Sequence, residues 1–170
     1  MNRSLIALLS LVLAVTIAVP AAAAQFGVGL HYLRTLDDQG FGEDFKQNDF
    51  ALFGSITIPV AIVRIEGQLE WVPDYIGSDE NLFQPAAYGL LDIGPIYGGA
   101  GIGVGYLTGD FGGWATNPFY ALRAGIDLGL GGINVDVFAS YRFQSANFAE
   151  GAQNLDLDKL TLAAQIRFGS

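Results

Sequence analysis

The sequence has no cysteine and few charged residues. Of its 170 residues only 8 are lysine or arginine, and charged residues make up 15% of the chain, against roughly 25% in ordinary soluble domains. Without cysteine, the chain cannot be a small secreted scaffold held by disulfides. The net charge of −9 argues against nucleic-acid binding, because contacts to phosphate depend on clustered lysine and arginine. Motifs of the P-loop, zinc-finger and nucleophile-elbow kinds are also absent.

One long apolar run is present, at the N-terminus. The residues LIALLSLVLAV follow Arg3 and precede AAAA before Gln25, which is the composition of a secretory signal peptide. A transmembrane anchor is the alternative, but the run is short and ends at Pro20. We therefore expect residues 1–24 to be a cleaved signal peptide and residues 25–170, 146 residues by subtraction of 24 from 170, to form one domain.

After the signal peptide, no apolar run approaches the ~20 residues that a membrane helix needs. Polar and apolar side chains alternate instead, with the period of two that marks β-strands. The last segment, LTLAAQIRF at 160–168, shows this alternation. One face carries Leu160, Leu162, Ile166 and Phe168, expected toward lipid, and the other carries Gln165 and Arg167, which with Lys159 are expected in the interior.

We predict eight β-strands in the mature chain. They run over 26–36, 50–58, 60–71, 84–93, 96–108, 118–129, 133–143 and 157–168. Tight turns are predicted at Pro59, Gly94-Pro95 and Gly131-Gly132, and long polar connections at 37–49, 72–83, 109–117 and 144–156. This alternation of turn lengths is typical of outer-membrane barrels. The sequence therefore predicts an all-β fold, an eight-stranded antiparallel up-and-down transmembrane β-barrel.

The placement of charge indicates which strand face lies inside. The strands hold five acids and six bases, namely Glu66, Glu70, Asp92, Asp127 and Asp136, and Arg34, Arg64, Arg123, Arg142, Lys159 and Arg167. The connections hold the remaining acids and one base, Lys46. Ionic side chains of nearly balanced charge suit a sealed polar interior, because buried charges must be paired. The apolar strand face is therefore expected to contact lipid.

Nine ionic side chains are expected to form a network in the lumen: Arg64, Glu66, Glu70, Arg123, Asp127, Asp136, Arg142, Lys159 and Arg167. We favour a plug over an ion path, because an eight-stranded barrel is only just wide enough for its own side chains. A glycine row, Gly99, Gly101, Gly103 and Gly105, is predicted to face the same interior and to leave room for larger side chains. The orientation of 84–93 stays open, since its residues do not clearly alternate.

Three segments carry a family resemblance: the AAAA junction before Gln25, YGGAGIGVGY at 97–106, and the final strand ending at Phe168. On these the chain resembles the small eight-stranded outer-membrane barrels of the OmpA/OmpX kind, over essentially all of 25–170. The resemblance implies an outer-membrane location, periplasmic termini, and a structural or surface-interaction role without enzymatic activity. It also implies insertion by the barrel-assembly machinery, although Gly169 and Ser170 follow the terminal aromatic. With nothing further after the eighth strand, we expect no periplasmic wall-binding domain.

Two other functions remain open. A soluble lipocalin-like ligand carrier would show the same alternation with its faces inverted. A lipid-modifying barrel enzyme would need a histidine and a serine together, and His31, Ser140 and either Asp127 or Asp136 are the candidates. His31 shares its face with the glycines of the first strand, so we expect a hydrogen-bonded lumen residue and assign no catalytic residue. No cofactor is expected.

The acidic connections are the surface on which a specific partner is expected. The segment 37–49 holds five carboxylates, but it lacks the spacing of a calcium-binding hand, and we assign no metal site. Outer-membrane lipid and lipopolysaccharide are the expected surroundings, and an extracellular partner would bind through 37–49, 72–83, 109–117 and 144–156. The segment GAGIGVG is not a dinucleotide fingerprint, because its glycines keep a period of two and no helix follows.

Overall fold

The computed structural model describes residues 24–36, 48–75, 81–108, 114–115, 118–143, 145–146, 155–156 and 158–169. These residues form β1 (Gln25–Thr35), β2 (Asn48–Val60), β3 (Val63–Val72), β4 (Asn81–Ile93), β5 (Ile96–Gly103), β6 (Tyr106–Thr108), β7 (Trp114–Ala115), β8 (Phe119–Gly129), β9 (Ile133–Phe143), β10 (Ser145–Ala146), β11 (Leu155–Asp156) and β12 (Lys159–Phe168). The long strands β1, β2, β3, β4, β5, β8, β9 and β12 form the wall of the molecule. The predicted signal peptide, apart from Ala24, lies outside the described residues.

Within the described segments, no helix has the length and apolar character needed to cross a membrane.

The eight wall strands form a closed antiparallel barrel. Each pairs with the wall strands before and after it in the chain, and β12 pairs with β1. The topology is therefore up-and-down, as the sequence predicts. Closure gives every wall strand two neighbours and leaves no free sheet edge along the barrel.

The register fixes the tilt of the strands. A circuit of paired residues starts at Thr35 and passes through Lys159, Arg142, Ala121, Gly101, Tyr88, Glu66 and Thr57. It returns to β1 at Gln25, ten residues before its starting point. Such a stagger is what tilts barrel strands by roughly 35–45° from the axis. The tilt brings side chains from widely separated parts of the chain to one level of the lumen.

Two predicted turns are confirmed and one is wrong. Gly94-Pro95 and Gly131-Gly132 join their strands, with φ of 64° at Gly94. The first turn, however, lies at Ala61-Ile62 and not at Pro59, which belongs to β2. The last pair between β1 and β2 is Gln25 with Thr57, so Pro59 lies beyond the end of β1 and its missing N–H costs no bond to that strand.

A second proline explains why the strand predicted at 96–108 appears as β5 and β6. The pairs on either side of the break, Ala86 with Gly103 and Phe83 with Tyr106, keep one register, so no residue is inserted. Pro85 stands opposite the break and accepts a bond from the Val104 amide at 3.1 Å. Because Pro85 has no N–H to return a second bond, the ladder is interrupted there.

The strand of open orientation, 84–93, lies in β4, which begins earlier, at Asn81. Its even-numbered residues face the interior: Leu82, Gln84, Tyr88 and Leu90 are buried.

Because β4 begins at Asn81, the connection predicted at 72–83 is shorter than expected. Four residues of the connection predicted at 144–156 belong to strands, since β10 and β11 extend the β9–β12 ladder in its own register. The long connections share one end of the barrel, here called the loop end, and the tight turns and both termini of the barrel share the other, the turn end.

Inward glycines make room for rings from neighbouring strands. A Cβ added at Gly125 would lie 2.6 Å from Cζ of Tyr97 and 2.7 Å from Cβ of Phe138. At Gly29 it would lie 2.5 Å from Cζ of Phe53. Two members of the glycine row of the fifth strand have the same role, since Gly101 faces the Tyr88 ring and Gly103 the Phe119 ring, whereas Gly99 lies against the backbone of Gly89. This confirms the prediction that interior glycines accommodate larger side chains, although the neighbours they admit are mainly aromatic.

We expect Gly125→Ala to lower the free energy of unfolding by about 1–3 kcal/mol, because its methyl group overpacks against Tyr97 and Phe138. Gly67→Ala is the matched control, since an added Cβ there meets nothing within 4 Å on the outer face. Urea unfolding in lipid vesicles measures both variants. Equal stability of the two would contradict the close-packing account.

Candidate functional site: the barrel lumen and its outer surface

The outer face of the barrel is apolar from the turn end to the rim of the loop end. On β1 it exposes Phe26, Val28 and Leu30, each at about 60% of full exposure, and the other wall strands expose the same kinds of residue. On β12 the exposed set is Leu160, Leu162, Ile166 and Phe168, as predicted. A surface of this extent would not remain in water, since large exposed apolar patches mark contact surfaces for lipid or protein.

Aromatic side chains with polar partners ring the loop end of this surface. The Tyr32 hydroxyl donates to Oδ1 of Asn48 at 2.7 Å, and the indole N–H of Trp71 donates to Oδ1 of Asn81 at 3.1 Å. The Tyr141 hydroxyl likewise donates to Asp158. Rings with an apolar body and a polar tip are typical of the boundary between lipid and water.

Arg34 departs from the expected charge balance. It is one of the six strand bases, but it faces outward at the loop end of β1. The wall strands therefore direct five bases inward, Arg64, Arg123, Arg142, Lys159 and Arg167. Five acids lie among these bases, Glu66, Glu70, Asp92, Asp127 and Asp136, and the half-buried Asp49 shares the inward face of β2 at the loop end. The five bases and the first five acids sum to zero charge, and Asp49 adds one negative charge at the loop end.

At the turn end of the lumen, two arginines share one carboxylate. Arg64 lies 2.8 Å from Oδ2 of Asp127 and 2.9 Å from Oδ1 of Asp92. Arg167 also pairs with Asp127. The Arg64 guanidinium lies over the Tyr97 ring, 4.2 Å from its centroid. Asp92, which sequence reasoning left out of the network, joins it because β4 turns its even-numbered side chains inward.

The middle of the lumen is filled by Arg123. Its guanidinium donates to Glu66 at 2.6 Å and to Gln68 at 2.5 Å. It is also sandwiched between the rings of Tyr88 and Phe138, 3.7 and 3.9 Å from their centroids. A planar cation held between two rings and a carboxylate fills the bore with groups that attract one another.

Asp136 lies at the same level without a direct arginine partner. Its carboxylate accepts from the Tyr97 hydroxyl and from Nε2 of Gln165, each at 2.8 Å. Gln165 accepts in turn from the Ser55 hydroxyl. These neutral partners were not predicted, since a count of charged residues does not find them.

Nearer the loop end, Glu70 binds Arg142 through two parallel bonds of 2.8 and 2.9 Å. Nδ1 of His31 lies 2.5 Å from Oε2 of the same carboxylate and 3.2 Å from Arg142. Gln84 accepts a further bond from Arg142. His31 is thus the hydrogen-bonded interior residue that the sequence predicts.

The structure does not assemble the candidate catalytic set. His31 bonds to Glu70 and Arg142, and the buried Ser140 hydroxyl has no hydrogen-bond partner within the described residues. Asp127 and Asp136 are engaged in the clusters described above. Among the described residues, no three His, Cys, Asp or Glu side chains group as metal ligands. Most of the acidic segment 37–49 lies outside the described residues.

An apolar cluster covers the network at the loop end. It consists of Leu33, Ala51, Val72, Tyr75 and Leu82, with Leu107 packed against it. Lys159 lies beside this cluster and donates to the Tyr75 hydroxyl at 2.8 Å. Sequence reasoning placed Tyr75 in a solvated connection, and no local signal distinguishes it there.

A closed eight-stranded antiparallel barrel with an apolar outside and a filled polar interior has the architecture of the small outer-membrane barrels. No protein-family model matches the sequence, and no curated protein matches it. Among solved structures the chain is similar to Neisserial surface protein A, with a TM-score of 0.69 and 14% identity over 89% of this chain and 100% of that one. At that identity the similarity is one of fold.

Two structures of Ail, the attachment invasion locus protein of Yersinia pestis, are also similar. One is in complex with the heparin analogue sucrose octasulfate and the other is in a phospholipid bilayer nanodisc. Each aligns with a TM-score of 0.44 and 16% identity over 85% of this chain, and over 96% and 99% of the respective Ail chains.

We expect Glu66→Gln to lower the free energy of unfolding by about 3–5 kcal/mol, because it leaves the buried Arg123 without its anion. The double variant Glu66→Gln with Arg123→Met removes the cation as well and should recover much of that loss. Urea unfolding in vesicles, followed by electrophoretic mobility without heating, compares them. A double variant no more stable than the single one would show that the pairing of charge does not stabilise the lumen.

Proposed function

We propose that this protein is a non-enzymatic outer-membrane barrel that holds its four long connections at the cell surface and whose lumen is sealed by its own side chains. The observation that carries this proposal is the combination of an apolar outer wall with a tightly packed interior of paired charges. A soluble carrier would need the reverse, a polar outside around a greasy cavity. The similar Neisserial protein is called a surface protein, which supports the same role.

The orientation follows from the two ends of the barrel. The short turns lie at the same end of the barrel as the start of β1 and the end of β12, where Phe26 pairs with Phe168. We assign this end to the periplasm. The loop end with its aromatic ring then lies at the outer surface, facing lipopolysaccharide. The final strand ends on Phe168, which supports insertion by the barrel-assembly machinery. A specific partner would bind through the long connections.

Lipid-modifying catalysis is not proposed. An enzyme of that class must bring its nucleophile and base to the lipid, whereas His31 and Ser140 are both buried inside the barrel. Conduction is not proposed either, because Arg123 and the two rings that hold it span the centre of the lumen. With catalysis and conduction set aside, the role we propose for the barrel is that of a rigid support for the connections at the loop end.

We expect an epitope inserted after Phe148, in the last long connection, to be bound by antibody on intact cells, because that connection lies at the loop end. The same epitope inserted between Gly131 and Gly132, in a tight turn, is the control and should be bound only after the outer membrane is permeabilised. Membrane fractionation of both strains checks the location. Binding of the turn epitope on intact cells would reverse the proposed orientation.

We expect the folded protein to show no steady conductance in planar bilayers, because the rings and ion pairs of the lumen occupy its bore. Arg123→Ala with Phe138→Ala, which empties the middle of the lumen, should conduct measurably. The control is Leu122→Ala, one residue along β8 on the outer face, where exposure is 55%. Regular conductance steps from the unaltered protein would contradict the plug.

A further inference from the structure

The buried cations of the lumen differ in one respect. Arg64, Arg123, Arg142 and Arg167 each pair with a carboxylate. Lys159, 2% exposed, forms no salt bridge within the described part of the chain. Its Nζ donates to the Tyr75 hydroxyl and lies 4.3 Å from the centroid of the same ring. A buried ammonium without a counter-ion is costly, and a phenol meets only one of its three donors.

The surroundings of Lys159 add to this imbalance. On β9 its paired residue is Arg142, a second cation, and on β1 it is Thr35, which carries no charge. The apolar cluster that contains Tyr75, with Leu33, Val72 and Leu82, covers this end of the lumen, and the half-buried Asp49, which pairs with Leu33, lies on the inward face of β2 there. Since Arg142 is already neutralised by Glu70, Lys159 is, among the buried cations of the described residues, the one without a carboxylate partner and has capacity left for an anion.

Tyr75 covers the ammonium in a distinctive way. Among the buried hydrophobic and polar side chains of the described residues, it alone is not carried by a strand. Asp74 takes a left-handed φ of 47° directly after the end of β3, and Tyr75, 3% exposed, follows it into the mouth of the barrel. Side chains on strands are held by the closed ladder, whereas a residue in a connection can leave its position while the barrel stays intact.

We propose that Tyr75 is a movable cover over Lys159, and that the uncovered ammonium binds an oxyanion, a carboxylate or phosphate group, of a ligand that enters from the loop end. This inference rests on the proposed function, since it requires the loop end to face the outside. In the covered state the phenol hydroxyl takes one ammonium donor and the ring faces the charge. In the open state the anion supplies the counter-charge that the lumen itself withholds from this one cation.

The sequence makes the cover directly testable, because Lys46 and Lys159 are the only lysines of the chain. The folded protein in vesicles is treated with a membrane-impermeant amine reagent, and peptide mass mapping gives the labelling rate at each lysine. In the unaltered protein, Lys159 should be labelled slowly, but faster than the barrel unfolds. In Tyr75→Ala the rate should rise at least about tenfold, because opening no longer limits access.

Two further variants distinguish the loss of the Tyr75 cover from a general loss of barrel stability as the cause of faster labelling. Tyr75→Phe keeps the ring and loses the hydroxyl, so it should label at an intermediate rate. Tyr32→Phe, which removes a hydroxyl from the outer face, should leave the rate at Lys159 unchanged. Heat-dependent electrophoretic mobility confirms that each variant is folded. A chain that never inserts into vesicles would count against the proposed function, whereas a folded barrel with unaltered labelling counts only against the cover.

The anion is tested with inorganic phosphate and with acetate, each against chloride at equal ionic strength. Either oxyanion should slow the labelling of Lys159 in Tyr75→Ala by about threefold or more by mass action, without slowing Lys46. Protection by phosphate alone or by acetate alone identifies the preferred group. The proposal is overturned if Lys159 in the unaltered protein reacts only as fast as the barrel unfolds, if Tyr75→Ala labels no faster, or if neither anion protects.

Discussion

Closure of the backbone ladder is the constraint on which the rest of this structure depends. Pairing of β12 with β1 gives each wall strand a partner on both sides, so the backbone can face lipid without unpaired polar groups. Because alternate side chains of a strand point to opposite faces, one closed sheet must place a complete apolar set outside and a complete polar set inside. The apolar wall and the charged lumen are therefore two results of the same pairing.

A polar interior creates a requirement of its own: its charged side chains must be paired with opposite charges while they fill the lumen closely. Arg123 illustrates how it is met: a carboxylate, an amide and two rings surround one guanidinium. Interior glycines such as Gly125 provide the space for those rings. The lumen is thus a core in which ion pairs and cation–ring contacts take the place of aliphatic packing. Among the described residues, Lys159 is the buried cation of the lumen that has no carboxylate partner. It lies at the loop end, where the barrel opens toward the long connections.

The sequence predicted more of the wall than of the lumen. Strict alternation in the last strand fixed which side chains of β12 face outward. It failed in 84–93, where Pro85, paired alanines and glycine obscure the period, so the inward position of Asp92 was not predicted. The sequence predicts a turn at Pro59, because proline usually interrupts strands, but Pro59 lies in β2 beyond its last pair with β1 and so loses no bond to that strand. Arg34 is one of the strand bases in the sequence count but not one of the nine predicted lumen residues, and it lies on the outward face with Phe26, Val28 and Leu30.

By itself, the sequence determined the fold class, the number of wall strands and the side on which most of their residues lie, because these depend on local period and turn chemistry. Only the tertiary structure decided which charges meet. The ten-residue stagger of the barrel brings Glu66 to Arg123, Glu70 to Arg142, and Tyr75 to Lys159, partners 57 to 84 residues apart. No local pattern encodes that stagger, since it arises from closing all eight strands together.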